Sequence, residues 1–273
     1  RVAYGFSVHG ISGNIGWALA PLFMTYVATH YDWRIALQCA AVLPFGVLLI
    51  LFLNRHAIRP EPVKKAAPGQ QAGGEGTLDF LRLPAVWMCF AFFFITAIAL
   101  GGIQSFASVA LVKLYGMSLA LATSAYTAYM LASAVGMLAG GVVGARSKQP
   151  DRNVAIAFSA AALLAVLLSM AAVPAWGAVV LMGAIGLTSG VAGPSRDLMI
   201  RAAAPKNATG RVYGVVYSGL DSGLAVGPLF FGALMDGDHP ALLFVFIGLF
   251  QALAIATAVG VGGKTRAAAL QKA

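Results

Sequence analysis

The sequence predicts an all-α, polytopic membrane helix bundle with eight transmembrane helices. Three observations carry that reading. The composition is 60% hydrophobic and only 10% charged, with a mean hydropathy of +0.84. A soluble domain carries roughly 25% charge, so this chain cannot cover a water-facing surface and lipid must be its solvent. The apolar residues fall into separate runs, each near the roughly 20 residues that a helix needs to cross a bilayer. The basic residues then sort to one side of those runs, as shown below.

Taken in order, the first span is expected at 6–29, where the only side chain that could carry charge near neutral pH is His9. Asp32-Trp33-Arg34 forms a short loop, with Trp33 suited to the membrane interface, and the second span runs 35–53. Residues 55–83 are rich in Pro, Gly and Lys and show no periodicity, which marks a cytoplasmic linker between two halves. The third span, 85–111, follows Pro84, and the fourth, 118–143, follows a turn at Lys113–Gly116. A basic loop, Ala145 to Arg152, leads into 43 residues without a formal charge, Asn153 to Ser195. That length holds two spans, 154–172 and 177–195, with Val173-Pro174-Ala175-Trp176-Gly177 as the turn. The seventh span is 212–235, the eighth is 241–262, and residues 264–273 form a basic tail. The organisation is therefore 1–54, two helices of one half; 55–83, linker; 84–263, a six-helix half; 264–273, tail.

The net charge of +9 would raise nucleic acid as a partner in a soluble protein. Here the placement of charge gives a different reason. With eight spans, sixteen of the eighteen Lys and Arg fall on one side, and only Arg34 and Lys113 on the other. A missed or invented helix would scramble that bias. The positive-inside rule then puts both termini in the cytoplasm of an inner (plasma) membrane protein whose partner is the lipid bilayer, with no nucleic acid implied. The two cysteines, Cys39 and Cys89, lie inside apolar runs and offer neither a disulfide framework nor a metal spacing. No metal and no cofactor is expected.

An internal repeat joins the two ends of the chain. Arg1 to Phe23 and Arg211 to Phe230 both open Arg-Val. Both carry glycines five apart (Gly5 and Gly10; Gly214 and Gly219), and both place glycine five residues before Pro-Leu-Phe (Gly16 and Pro21; Gly223 and Pro228), with a two-residue slip between the two parts of the match. A repeat of this length in an apolar chain is the mark of a duplicated transporter. With the linker and the six-helix half, it resembles the major facilitator superfamily of secondary transporters. The resemblance implies that the first two spans are the last two of the N-terminal half and that 84–263 is the complete C-terminal half. The missing partner would then be the preceding helices of the same protein, and the chain reads as part of something longer. The loop after the fourth span, Gly140 to Lys148, keeps the glycine and basic residues of the family's signature but lacks its acid. The first span, with Gly13, Gly16 and Ala20-Pro21, resembles the corresponding helix of proton-exchanging exporters. Gly10-Asn14-Gly16-Pro21 together with Tyr115–Gly144 resembles fosmidomycin-resistance-type efflux proteins.

An ionisable group inside a span costs at least about 2.5–3.5 kcal/mol at the centre, so it needs a task or a partner. Asp221 is the foremost candidate. It is read either as a proton-coupling or cation-binding carboxylate, or as an acid paired with Arg196 or Arg211. His9 is read as a titrating group or as an interface residue. Gln104, Asn14, Tyr126 and Tyr129 are candidates for a substrate or proton pathway, each with helix packing as the competing reading. Arg196 and Asp197 are read as a gating or loop-anchoring ion pair. Gly10, Gly13, Gly16, Pro21, Gly219, Gly223, Gly227 and Pro228 are expected to allow close helix approach. The function expected is secondary transport of a small organic solute or drug, driven by protons, with efflux and antiport implied by the resemblance. Two other readings stay open: a non-transporting fragment or partner-dependent half-transporter, and a membrane-embedded enzyme. The second is disfavoured because the four histidines are scattered.

Overall fold

The computed structural model describes residues 2–57, 79–147, 149–203 and 209–270. Some side chains within its helices lie outside the described residues, His9 and Pro21 among them, as does most of the expected linker. Eight α-helices follow one another: α1 (Val2–His30), α2 (Trp33–Leu53), α3 (Pro84–Tyr115), α4 (Leu119–Arg146), α5 (Pro150–Ser169), α6 (Ala175–Ala203), α7 (Thr209–Asp236) and α8 (Pro240–Leu270). A short 3₁₀ turn, Asp79–Arg82, precedes α3. Helices α2 to α8 are the seven that are long and apolar enough to cross a membrane among the described residues. The remaining expected span, α1, is a 29-residue helix without Asp, Glu, Lys or Arg.

The helix limits follow from local chemistry. Asp32 caps α2 by accepting from the Arg34 amide, and Ser118 caps α4 by accepting from Leu121. Proline opens α3, α5 and α8, where its missing N–H costs nothing. Gly116 ends α3 in the left-handed region, φ 62°, and its amide returns to the Val112 carbonyl. The turn after α5 uses Ala171 at φ 50° instead, a conformation that disfavours a Cβ.

The chain divides into two compact units: Arg1–Ile15 with Leu78–Ala273, and Gly16–Thr77. The smaller unit contains α2, whose residues Val42 to Leu53 present their large apolar side chains outward. In the larger unit, α3 packs against α7 and α8, α5 against α6 and α8, and α4 against α6. Phe92, Phe93, Val86 and Cys89 of α3 form its principal core with Phe158 of α5, Ala192 and Ile200 of α6, Val212 and Val216 of α7, and Ala254 and Val261 of α8. The 3₁₀ turn is anchored to this core by Phe80, which is buried, and by the Trp87 indole N–H, which donates to the Leu81 carbonyl at 2.7 Å.

In lipid the hydrophobic effect does not drive helices together, so close backbone approach decides which helices pair. Two glycine seams do this. A Cβ added at Gly219 would lie 2.7 Å from the Phe90 carbonyl oxygen, one at Gly223 would meet the Phe94 carbonyl, and one at Gly227 would lie 2.8 Å from that of Ile98. Glycine every fourth residue on α7 thus faces a carbonyl every fourth residue on α3, and the two run parallel. The seam between α4 and α6 is reciprocal. Gly136 and Gly140 face the Leu187 and Val191 carbonyls, while Gly186 and Gly190 face those of Tyr129 and Ser133. Pro228 continues the first seam onto Gly101, and Phe231 sits on Gly102.

Candidate functional site

The seam on α7 fixes where Asp221 points. At about 100° per residue, a position two beyond Gly219 is turned roughly 200° away from α3. Asp221 is accordingly exposed, as are Ser218 and Ser222 on the same face. The Ser218 hydroxyl donates to its own helix at Val215, 2.7 Å away. Asp221 has no ion-pair or hydrogen-bond partner among the described residues, neither Arg196 nor Arg211. The result is a single exposed carboxylate beside Ser218 and Ser222, on a face left open because the glycines commit the opposite face to packing.

A second polar feature joins α1 to α4 inside the larger unit. The Asn14 side-chain amide donates to the Ser133 hydroxyl at 3.1 Å and lies 3.6 Å from the Met137 sulfur. One turn earlier on α1, Gly10 faces Met137, and a further turn earlier Ser7 faces Gly141. Ser133 is buried, and its backbone also receives Gly190 of α6, so one residue touches helices on two sides. Tyr129 is buried one turn away, whereas Tyr126 is half-buried. Gln104 is half-buried on α3, and no hydrogen bond joins it to another candidate among the described residues. A Cβ at Gly13 or Gly16 would meet no atom within 4 Å.

The third feature lies where the end of α6 meets the starts of α3 and α7. Arg196 Nε donates to Asp197 Oδ1 at 3.1 Å, and Asp197 is only 4% exposed. The Arg196 guanidinium sits 4.8 Å from the centre of the Phe93 ring, a cation–π contact. Tyr217 lies 5.3 Å from Phe93 and stacks on Tyr213, whose hydroxyl donates to the Asp197 carbonyl at 3.2 Å. Beside them Asn153 of α5 donates to the Ser195 hydroxyl of α6 at 3.2 Å. The arrangement is a charged pin through α3, α6 and α7 in which aromatic faces replace water around the cation. Sequence reasoning singled out Arg196 and Asp197 but missed Phe93, Tyr213 and Tyr217. The i, i+4 spacing of the two tyrosines was the available signal. Among the described residues, no three His, Cys, Asp or Glu side chains gather to hold a metal.

These sites lie on a glycine-packed helix bundle, and a comparison of families agrees with that architecture. The family model of the Major Facilitator Superfamily matches residues 1–228. The chain belongs to that superfamily. It is also similar to the membrane sensor protein UhpC of Salmonella typhimurium, with 26% identity over 144 residues. That match covers 47% of this chain and 33% of the relative, so it spans about a third of the relative's length. As a superfamily member with a polytopic helix bundle, the chain is a multi-pass membrane protein of a transporter family.

Proposed function

We propose that the chain is the working second half, with two helices of the first, of a proton-coupled secondary transporter for a small organic solute or drug, operating by alternating access. Asp221 carries the reading. An acid on a membrane helix, exposed, unpaired and flanked by Ser218 and Ser222, has a place against a water-filled path and none against lipid. In this proposal it accepts a proton or holds a cationic group, while Gln104, Asn14, His9, Tyr126 and Tyr129 contribute polar edges to the path. The Arg196–Asp197 pin holds α6, α3 and α7 as one piece while that piece rocks. Efflux by antiport, in the manner of the fosmidomycin-resistance type, is the direction proposed. An inner-membrane setting with cytoplasmic termini completes it.

The test uses the whole gene product reconstituted in vesicles with a trapped pH dye, and fosmidomycin as the first probe. Substrate-driven proton flux is expected in the parent and is expected to fall at least about tenfold in Asp221→Asn, as removal of an essential proton carrier would produce. Equal flux in that variant removes the role given to the acid. A second reading rests on the similarity to a protein named a membrane sensor: ligand binding without flux. Saturable binding to the parent with no proton or solute movement would select it over transport.

A further inference from the structure

We infer that one end of the larger unit is a docking surface for anionic phospholipid headgroups, seated on Arg82, Arg146, Arg152 and Arg201. The inference rests on the membrane setting and not on the transport reading. The seams show that α3 and α7 run parallel, as do α4 and α6, while Gly260 of α8 faces Met88 and Gly248 faces Ala162, so α8 runs against α3 and α5. The Ser108 hydroxyl donates to the Ala122 carbonyl at 3.4 Å, which places the end of α3 beside the start of α4. One end of the unit therefore holds the starts of α3, α5 and α7 and the ends of α4, α6 and α8. Arg82, Arg146, Arg152 and Arg201 all lie there.

What distinguishes that end is how its charges are partnered. All four arginines are exposed, and none has an ion pair among the described residues. The acids on the helix ends beside them are turned inward: Asp151 is 6% exposed and Asp197 4%. Their negative charge is turned into the protein, Asp79 before α3 is the half-buried acid beside Arg82, and among the described residues the exposed charge of this end is positive. At the opposite end the relation reverses. Lys113 is held by Asp238 at 2.8 Å, and Asp236 is exposed beside them. A count of Lys and Arg along the sequence does not contain this difference. Four unpaired guanidiniums at a bilayer surface meet phosphate oxygens as their nearest anions, and the guanidinium fork matches phosphate in a bidentate way. The half-exposed Trp87 indole lies one turn into α3, where an interfacial ring is at home.

The experiment is native mass spectrometry of the purified full-length protein in neutral detergent, titrated with phosphatidylglycerol or with phosphatidylcholine of the same acyl chains. Retention of phosphatidylglycerol is expected to exceed that of phosphatidylcholine, and to weaken as salt rises. Each arginine near a membrane surface is expected to matter by about fivefold. The combined Arg82→Gln, Arg146→Gln, Arg152→Gln, Arg201→Gln variant should therefore fall to the phosphatidylcholine level, and Lys113→Gln should retain the parent's value. Should the combined variant fail to fold, Arg146→Gln with Arg152→Gln is the fallback, expected to lose retention severalfold. Undiminished phosphatidylglycerol retention in the folded variant overturns the assignment. So does equal retention of the two lipids by the parent. Displacement of the lipid by millimolar inorganic phosphate would make this a free-anion site and would overturn it as well.

Discussion

Asp238 sits in the left-handed region, φ 56°, in the turn between α7 and α8, and meets Lys113 from the end of α3. The hydrogen bond from Lys113, and then its charge, hold the Asp238 carboxyl below the ordinary carboxylate range. A carboxyl whose folded value lies below its unfolded one stabilises the fold fully above the unfolded value. That contribution disappears as pH falls through the folded value. Asp238→Asn should therefore melt slightly below the parent at neutral pH, with the gap closing as pH falls through the folded value of Asp238, since both forms are then uncharged at this position. Because the pair is exposed, the gap should also shrink at high salt, which a melting series in detergent reads directly. Asp197→Ala is the contrasting case. It strands Arg196 among Phe93, Tyr213 and Tyr217 without its counter-charge, and should cost on the order of 2 kcal/mol. That lies below the loss for a fully buried pair because Arg196 keeps some exposure. Thermal unfolding of the purified variant measures it, and an unchanged midpoint would remove the structural role of the pin. Which of these acids mattered was only partly legible. The membrane location of Asp221 follows from sequence, because the run around it is apolar. The inward turn of Asp151 and Asp197 does not, because it depends on which helix lies alongside.

Helix pairing is where the sequence was half readable. The four-residue spacing of Gly219, Gly223 and Gly227 marks one face of α7, but nothing in that pattern names α3 as the recipient. The reciprocal seam of α4 and α6 needs two patterns in register, Gly136 and Gly140 with Gly186 and Gly190, and neither one alone specifies the other. Substitutions should separate seam glycines from idle ones. In Gly190→Ala the new methyl collides with the Ser133 carbonyl, which belongs to a helix backbone and cannot rotate away. The expected loss is about 1–3 kcal/mol, the usual cost of overpacking. In Gly214→Ala the methyl meets nothing within 4 Å, and the expected effect is neutral or a gain of up to about 1 kcal/mol from better helix propensity. Equal midpoints for the two variants would show that close approach is not what holds α4 to α6. Ser133 adds a consequence for α1. Its hydroxyl is tied to Asn14 and its backbone to Gly190, so a shift of α4 against α6 disturbs the α1 contact as well.

At the scale of the molecule, helix number and helix limits were the most legible property. Expected spans at 35–53, 118–143 and 241–262 correspond to α2, α4 and α8 with ends extended by a turn or less, α8 excepted, which runs on to Leu270. Length and apolarity decide a membrane helix almost alone, so little tertiary information is needed. Sidedness rests on a different argument, the bias of basic residues, and α5 offers a direct trial of it. This helix has 20 residues, a length of roughly 30 Å, which is one bilayer core. Gln149 precedes it and Met170 follows it, and both are exposed. In a background with Cys39→Ser and Cys89→Ser, a membrane-impermeant maleimide added outside intact cells should label Met170→Cys and leave Gln149→Cys untouched until the membrane is opened. The opposite pattern would place Arg146, Arg152 and Arg201 on the outer surface, and the charge bias would then need a cause other than orientation during insertion. Labelling of both would mean that α5 does not span, which the six-helix packing of the larger unit could not survive, because α8 and α6 both bury their faces against it.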